Sequence, residues 1–187
     1  MTTESADQPR CLVFRRQRGA LSFGPDALAT LERFRQYRSS DAEAGGVLLG
    51  RRILDSDDVV IDIATAPNEL DRRSRYSFNR VAEPAQVAVN RAWAESRGTC
   101  VYLGDWHSHP EPAPHPSYVD EDDWRKIMRS AKYGQPFLFF VIVGTEEIAV
   151  WEYPLGARSP KRLAAYDDER RPAPGAPRNL RMLSRKK

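Results

Sequence analysis

One stretch of this chain excludes regular structure from itself: PEPAPHP at 110–116, where four of seven residues are proline. Each proline fixes φ and removes a backbone donor, so the stretch is neither helix nor inner strand. An element on its N-terminal side must stop there, and one on its C-terminal side must start afresh. TCVYLGDWHSH (99–109) reads as a strand ending at Pro110. SYVDEDDWRKIMRSAKYG (117–134) reads as a helix with acids in its first turn and basic residues in its last, the order that the helix macrodipole favours.

The other elements come from periodicity. CLVFRR (11–16) and ALSF (20–23) read as short strands about a turn at Arg18-Gly19. Pro25 opens a helical stretch running to Arg38, with Leu28, Leu31 and Phe34 on one face. GGVLLGRRI (45–53) and VVIDIATA (59–66) form a hairpin around DSDD. PNELDRRSRYSFNR (67–80) is polar and Arg-rich and reads as a loop, with room for a short strand at Tyr76–Phe78. EPAQVAVNRAWAESRG (83–98) is a helix stopped by Gly98. FLFFVIVG (137–144) and EIAVWEYP (147–154) form a last hairpin. The order β-β-α-β-β-α-β-α-β-β predicts an α/β (α+β) fold, one mixed sheet flanked by helices. A length of 187 residues suits a single domain.

Charge is unevenly placed. From Arg170 to Lys187 there are seven basic residues and no acid; without them the remainder carries −4 against the whole chain's +3. The globular part is therefore mildly acidic, expected over 11–155. Residues 1–10 are expected to be flexible, and 156–187 to be a basic, Pro-rich tail disordered in part. An acidic core counts against nucleic acid as the partner. The N-terminal stretch has no apolar segment of a secretory signal. The longest apolar run, PFLFFVIVG, is far too short to span a membrane. Cys11 and Cys100 make no metal spacing and no disulfide framework, so a reducing cytoplasm is the expected home.

All three histidines fall between 107 and 115. His107 and His109 are two apart on a strand end, so their imidazoles share a face. Asp120 lies in the first turn of the helix beyond the proline loop and can face back across it. Two nitrogens and one carboxylate suit a zinc ion with its fourth position open, the catalytic rather than the structural pattern. Such a site also needs a carboxylate near the metal but off it, and Glu43, just ahead of GGVLLG, is the candidate. Gly45 and Gly46 let the backbone there approach the metal strand closely. Each piece alone has an ordinary reading: a His-x-His pair on a strand is common, Ser117-x-x-Asp120 is a helix-capping signature, and His115 is a solvent-facing residue.

Together, these residues resemble the signature of the JAB/MPN (JAMM) metalloproteases. Glu43-Ala-Gly-Gly46-Val-Leu-Leu-Gly50, then His107-Ser-His109-Pro110, six residues, and Ser117-x-x-Asp120 match E-x-x-G-x-x-x-G and H-x-H-P-x6-S-x-x-D at every position. The resemblance covers about 11–155 and implies the MPN fold, which is cytidine-deaminase-like. It implies one zinc ion per chain on His107, His109 and Asp120. It makes Glu43 the activator of water and gives the Ser117 hydroxyl to the oxyanion. It implies hydrolysis of an isopeptide or peptide bond after the C-terminus of ubiquitin or a similar protein.

GGVLLG, IATAPNELDRRSRYSFNR, YLGDWHSHPEPAPHPSYVDEDDW and VIVG further resemble a bacterial JAB subfamily, that of the deconjugating proteases of CBASS anti-phage operons. There an E1/E2-like protein attaches the C-terminus of a nucleotide cyclase (CD-NTase) to targets, and the protease removes it. The alternatives are a protease for a ubiquitin-like sulfur carrier and a non-catalytic MPN scaffold. Arg72, Arg73, Arg75, Tyr76 and Arg80 are the candidate substrate contacts, with a solvated loop as the ordinary alternative.

Overall fold

A computed structural model describes residues 12–130 and 134–166. Its layering is set by the apolar run, which forms a strand over Phe137–Val143 with all of its side chains buried. Phe137, Phe139, Val141 and Val143 enter one cluster; Leu138, Phe140 and Ile142 enter another. A strand buried on both faces needs cover on both, and three helices supply it.

In chain order the elements are β1 (Leu12–Arg15), β2 (Ala20–Phe23), α1 (Pro25–Arg33), β3 (Gly45–Arg52), β4 (Val59–Ala64), β5 (Arg72–Ser74), β6 (Ser77–Asn79), α2 (Ala82–Glu95), β7 (Val101–Ser108), α3 (Tyr118–Ser130), β8 (Phe137–Val143), β9 (Ile148–Pro154), β10 (Lys161–Arg162) and β11 (Ala164–Ala165). The main sheet runs β10-β9-β8-β7-β3-β4-β2-β1-β11, and β5 and β6 pair apart from it. It is mixed: β2 is parallel to β4 and β7 to β8, the rest antiparallel.

Ala27, Leu28 and Leu31 of α1 join the cluster formed by one face of the sheet. On the other face Trp124 of α3 stacks on Phe140, with ring centroids 4.8 Å apart, and Ala92 of α2 packs with Val47 and Leu49. The strand register changes in the middle of β7, where Gly104 has φ +144. A Cβ at Gly104 would stand 1.7 Å from the Phe139 carbonyl oxygen, so the close parallel approach of β8 requires glycine there. Beyond this irregularity Trp106 enters the α1-side cluster, and Asp105 and His107 alternate onto the other face.

The sheet's two edges meet on one short segment. β10 pairs with β9, β11 pairs with β1, and only Leu163 separates them. Leu163 is buried in the α1-side cluster and its amide donates to the Val150 carbonyl. Arg16 reinforces the seam by pairing with Glu152 at 2.6 Å.

The expected mixed sheet with helices on its faces is present. Its limits differ in three places. The helix expected to reach Arg38 ends at Arg33, because Phe34 turns to pack on Trp106 (5.8 Å) and Gln36 turns inward. The polar stretch read as a loop contains the β5–β6 hairpin. Lys161–Ala165, placed by charge in the tail, is part of the sheet: its lysine and arginine sit on an exposed strand while Leu163 points to the core. Residues 1–10, expected to be flexible, and the basic run at 170–187 lie outside the described residues. So do residues 131–133, within the expected end of the third helix. Among the described residues no helix is long and apolar enough to cross a membrane.

Candidate metal centre and hydrolytic site

β7 ends at Ser108, but its path stays extended for one more residue: the Ser108 amide donates to the Ala44 carbonyl (2.8 Å) and the His109 amide to that of Val143 (2.9 Å). His107 and His109 therefore project to the same side, with Nε2 atoms 3.0 Å apart. The proline loop then folds against the β8–β9 turn. Its carbonyls anchor it where its missing amides cannot: Glu111 accepts from Thr145 (2.7 Å) and Pro112 from Glu147 (2.9 Å). Gly144 makes the contact possible, since a Cβ there would lie 2.5 Å from both Glu111 O and Pro114 Cδ.

The loop delivers Ser117 and Asp120 to the histidines. Asp120 Oδ1 lies 3.2 Å from His107 Nε2 and its Oδ2 3.5 Å from His109 Nε2. The capping signature is realised as well: the Ser117 amide donates to Asp120 Oδ2 (2.6 Å), and the Asp120 amide donates to Ser117 Oγ (3.2 Å). The cap thus orients the carboxylate that faces the imidazoles.

One ligand atom from each of His107, His109 and Asp120 falls within 4.8 Å of the others. Two imidazole nitrogens and a carboxylate oxygen are the donor set of a catalytic zinc site. His109 Nδ1 is buried without a partner among the described residues, so Nε2, aimed at the trio, is that ring's available ligand atom. The electrostatics favour a cation. Burial alone would lower the His109 pKa, yet the bond and charge of Asp120, with the charges of Glu43 and Glu111, raise it. Burial would likewise raise Asp120, but its bonds to His107, His109 and Ser117 hold it well below the usual carboxylate range. The residues present therefore fit a divalent metal.

Glu43 stands beside the trio, 6% exposed, with Oε1 3.5 Å from His109 Nε2. Burial pushes its carboxyl up, against the pull of the two histidines. The register that brings it here is Gly45 opposite His107 and Gly46 opposite Trp106. Both glycines are needed for space: a Cβ on Gly45 would meet the Phe78 ring at 2.4 Å, and one on Gly46 the Thr65 carbonyl at 2.2 Å.

A cleft runs past these groups between α3 and the β5–β6 hairpin. Of the arginines expected to meet a substrate, Arg75 and Arg80 line it, with Tyr76 at the hairpin tip. Arg80 is engaged with Asp105 through both terminal nitrogens (2.8 and 3.2 Å). Arg73 turns back to donate to the carbonyls of Glu43 (2.6 Å) and Ala42 (3.1 Å). Arg72 is exposed on β5. Glu111 and His115 are exposed on the proline loop, as rim positions. Two buried polar residues that are not among the sequence candidates, Gln36 and Ser108, join the framework of the site. Ser108 carries a signal: between two histidines on a strand, it has to face the core.

Several known proteins are similar to this chain over more than half of its length. A protein of Pseudomonas aeruginosa named CD-NTase/cGAS isopeptidase is 38% identical over 125 residues, 65% of this chain and 77% of that protein. One of the same name from Vibrio cholerae is 41% identical over 114 residues, 61% of this chain and 69% of its own. A probable metalloprotease of Sinorhizobium fredii is 31% identical over 112 residues, 58% of this chain and 68% of its own. Residues 28–153 match the family described as prokaryotic homologs of the JAB domain. That span takes in Glu43, both histidines, Ser117 and Asp120, and the chain accordingly belongs to this JAB family and is a hydrolase.

Proposed function

We propose that the chain is a zinc-dependent isopeptidase that hydrolyses the amide joining the C-terminus of a conjugated protein to a lysine amine. The convergence of His107, His109 and Asp120, with the Glu43 carboxylate beside them but outside the trio, carries the reading. Bound there, zinc supplies Lewis acidity to the attacking water and the scissile carbonyl. Glu43 takes a proton from the water and hands it to the leaving amine as the C–N bond breaks. Its raised pKa makes it the stronger base in the first step. The Ser117 hydroxyl, whose oxygen accepts from the Asp120 amide, keeps its own proton to donate to the oxyanion. The cleft between α3 and the hairpin takes the substrate tail as an extended strand, with Arg75 and Tyr76 at its rim.

The conjugated protein is a nucleotide cyclase of the CD-NTase class in a CBASS anti-phage system, attached by an E1/E2-like enzyme in a reducing cytoplasm. The names of the relatives support this choice. The test presents the purified chain with three reporters, joined to the C-terminus of a cyclase, of ubiquitin and of a sulfur carrier. Release from the cyclase fusion is expected, with one zinc per chain, and His107→Ala or His109→Ala should lose both metal and cutting. Glu43→Gln should retain zinc and lose about 10²–10⁴-fold in rate. Cutting of the sulfur-carrier fusion alone would transfer the assignment to that substrate, and no cutting of any would make the chain a scaffold.

A further inference from the structure

Ser108 lies between the two histidines and faces the opposite way, fully buried. Its Oγ accepts from the Ala44 amide (3.0 Å), and its hydroxyl donates to Gln36 Oε1 (3.1 Å). Gln36 is 2% exposed, and its Nε2 donates to two carbonyls, Asp41 (3.1 Å) and Arg75 (2.9 Å). The amide's orientation is forced, because a flip would set Oε1 against two carbonyl oxygens. One side chain thus joins three separate segments. Asp41 and Ala44 flank Glu43, Ser108 belongs to the metal strand, and Arg75 is at the tip of the hairpin that walls the cleft.

The β3–β7 ladder begins at Gly45 opposite His107. It holds His107, while the Val143 carbonyl holds the His109 amide, and the ladder stops short of Glu43. Beyond it the connection is carried by the pair of bonds between Ala44 and Ser108, backed by Gln36. On the other side the hairpin holds the same loop, the Glu43 amide donating to the Ser74 carbonyl (2.7 Å).

We propose that Gln36 is a positioning residue for the reaction, setting Glu43 against the metal trio through Ser108 and the substrate-facing hairpin through Arg75, so that base and wall take up one fixed spacing. The inference rests on the reading of Glu43 as the base. It separates two jobs: the sheet holds the two histidines, and the buried amide holds the base. A displacement of about 1 Å costs about 10²-fold in rate.

Two variants test it, Gln36→Leu, which keeps volume, and Ser108→Ala, the milder change should the first not fold. Hydrogen exchange without substrate is the primary readout. It should quicken together over 41–46 and 72–80 in either variant, with β8 unchanged and zinc still one per chain. Turnover should fall about 10²-fold, and Gln36→Leu should cause no further fall in a Glu43→Gln background. Unchanged exchange in either segment, loss of zinc, or a full further fall in that background would overturn the proposal. If the unaltered chain cuts no fusion, the hydrolytic reading fails on its own, and the exchange experiment still decides whether Gln36 couples the two segments.

Discussion

The two walls of the cleft are held in place by different forces. On the α3 side, Trp124 is 4% exposed, stacks on Phe140 and touches Trp151 at 5.4 Å, so the wall is continuous with the core. On the hairpin side, every residue of β5 is exposed. That wall is fixed by Arg73 on the Glu43 and Ala42 carbonyls, Gln36 on the Arg75 carbonyl, Arg80 on Asp105, and the Phe78 ring over Gly45. Buried apolar area contributes most of the stabilisation and little direction. Hydrogen bonds contribute about 1 kcal/mol each and much direction. The α3 wall is therefore rigid with the fold. The hairpin wall is positioned accurately at low cost, and it is the part expected to open first on its own.

The comparison can be broken by substitutions taken from both walls. Trp124→Ala should cost about 3–5 kcal/mol in thermal unfolding, and should weaken metal affinity too because Asp120 rides on the first turn of the same helix. Arg80→Ala leaves Asp105 partly buried without its partner; a loss of about 1–3 kcal/mol is expected, with KM raised more than the melting temperature is lowered. Equal stability losses in these two variants would mean that the walls are not different in kind. Arg73→Ala should cost about 0.5–1.5 kcal/mol and speed hydrogen exchange at the Glu43 amide. His115→Ala, on the exposed side of the proline loop, should stay within about 0.5 kcal/mol of the unaltered chain, with metal content and rate unchanged.

The same contrast explains what the sequence discloses. The convergence of His107, His109 and Asp120 is legible because strand alternation, a proline loop and a capped helix place them by local rules. The apolar packing behind the α3 wall is legible as far as periodicity reaches, through Trp124 and the run at 137–143. The hairpin wall is not, since Arg72, Arg73 and Ser74 show no apolar alternation, and the main-chain carbonyls that Arg73 meets carry no sequence signature. Gln36 reads as one more turn of helix for the same reason: its role depends on where Asp41, Arg75 and Ser108 arrive in space. Lys161–Ala165 is concealed by its charge, with Leu163 the one residue that betrays it.

That segment also bears on how the chain is made. Phe14 pairs with Ala165, and the Tyr166 amide donates to the Val13 carbonyl, so the first described strand is sealed by the last described residues. During synthesis β1 and β2 can form early, but the seam beside them stays open until almost all of the domain has left the ribosome. Contacts of such long separation are the slow ones in folding. Until then β1 offers an unpaired edge to any neighbouring strand, and a nascent chain stalled before Leu163 would be a candidate for chaperone capture.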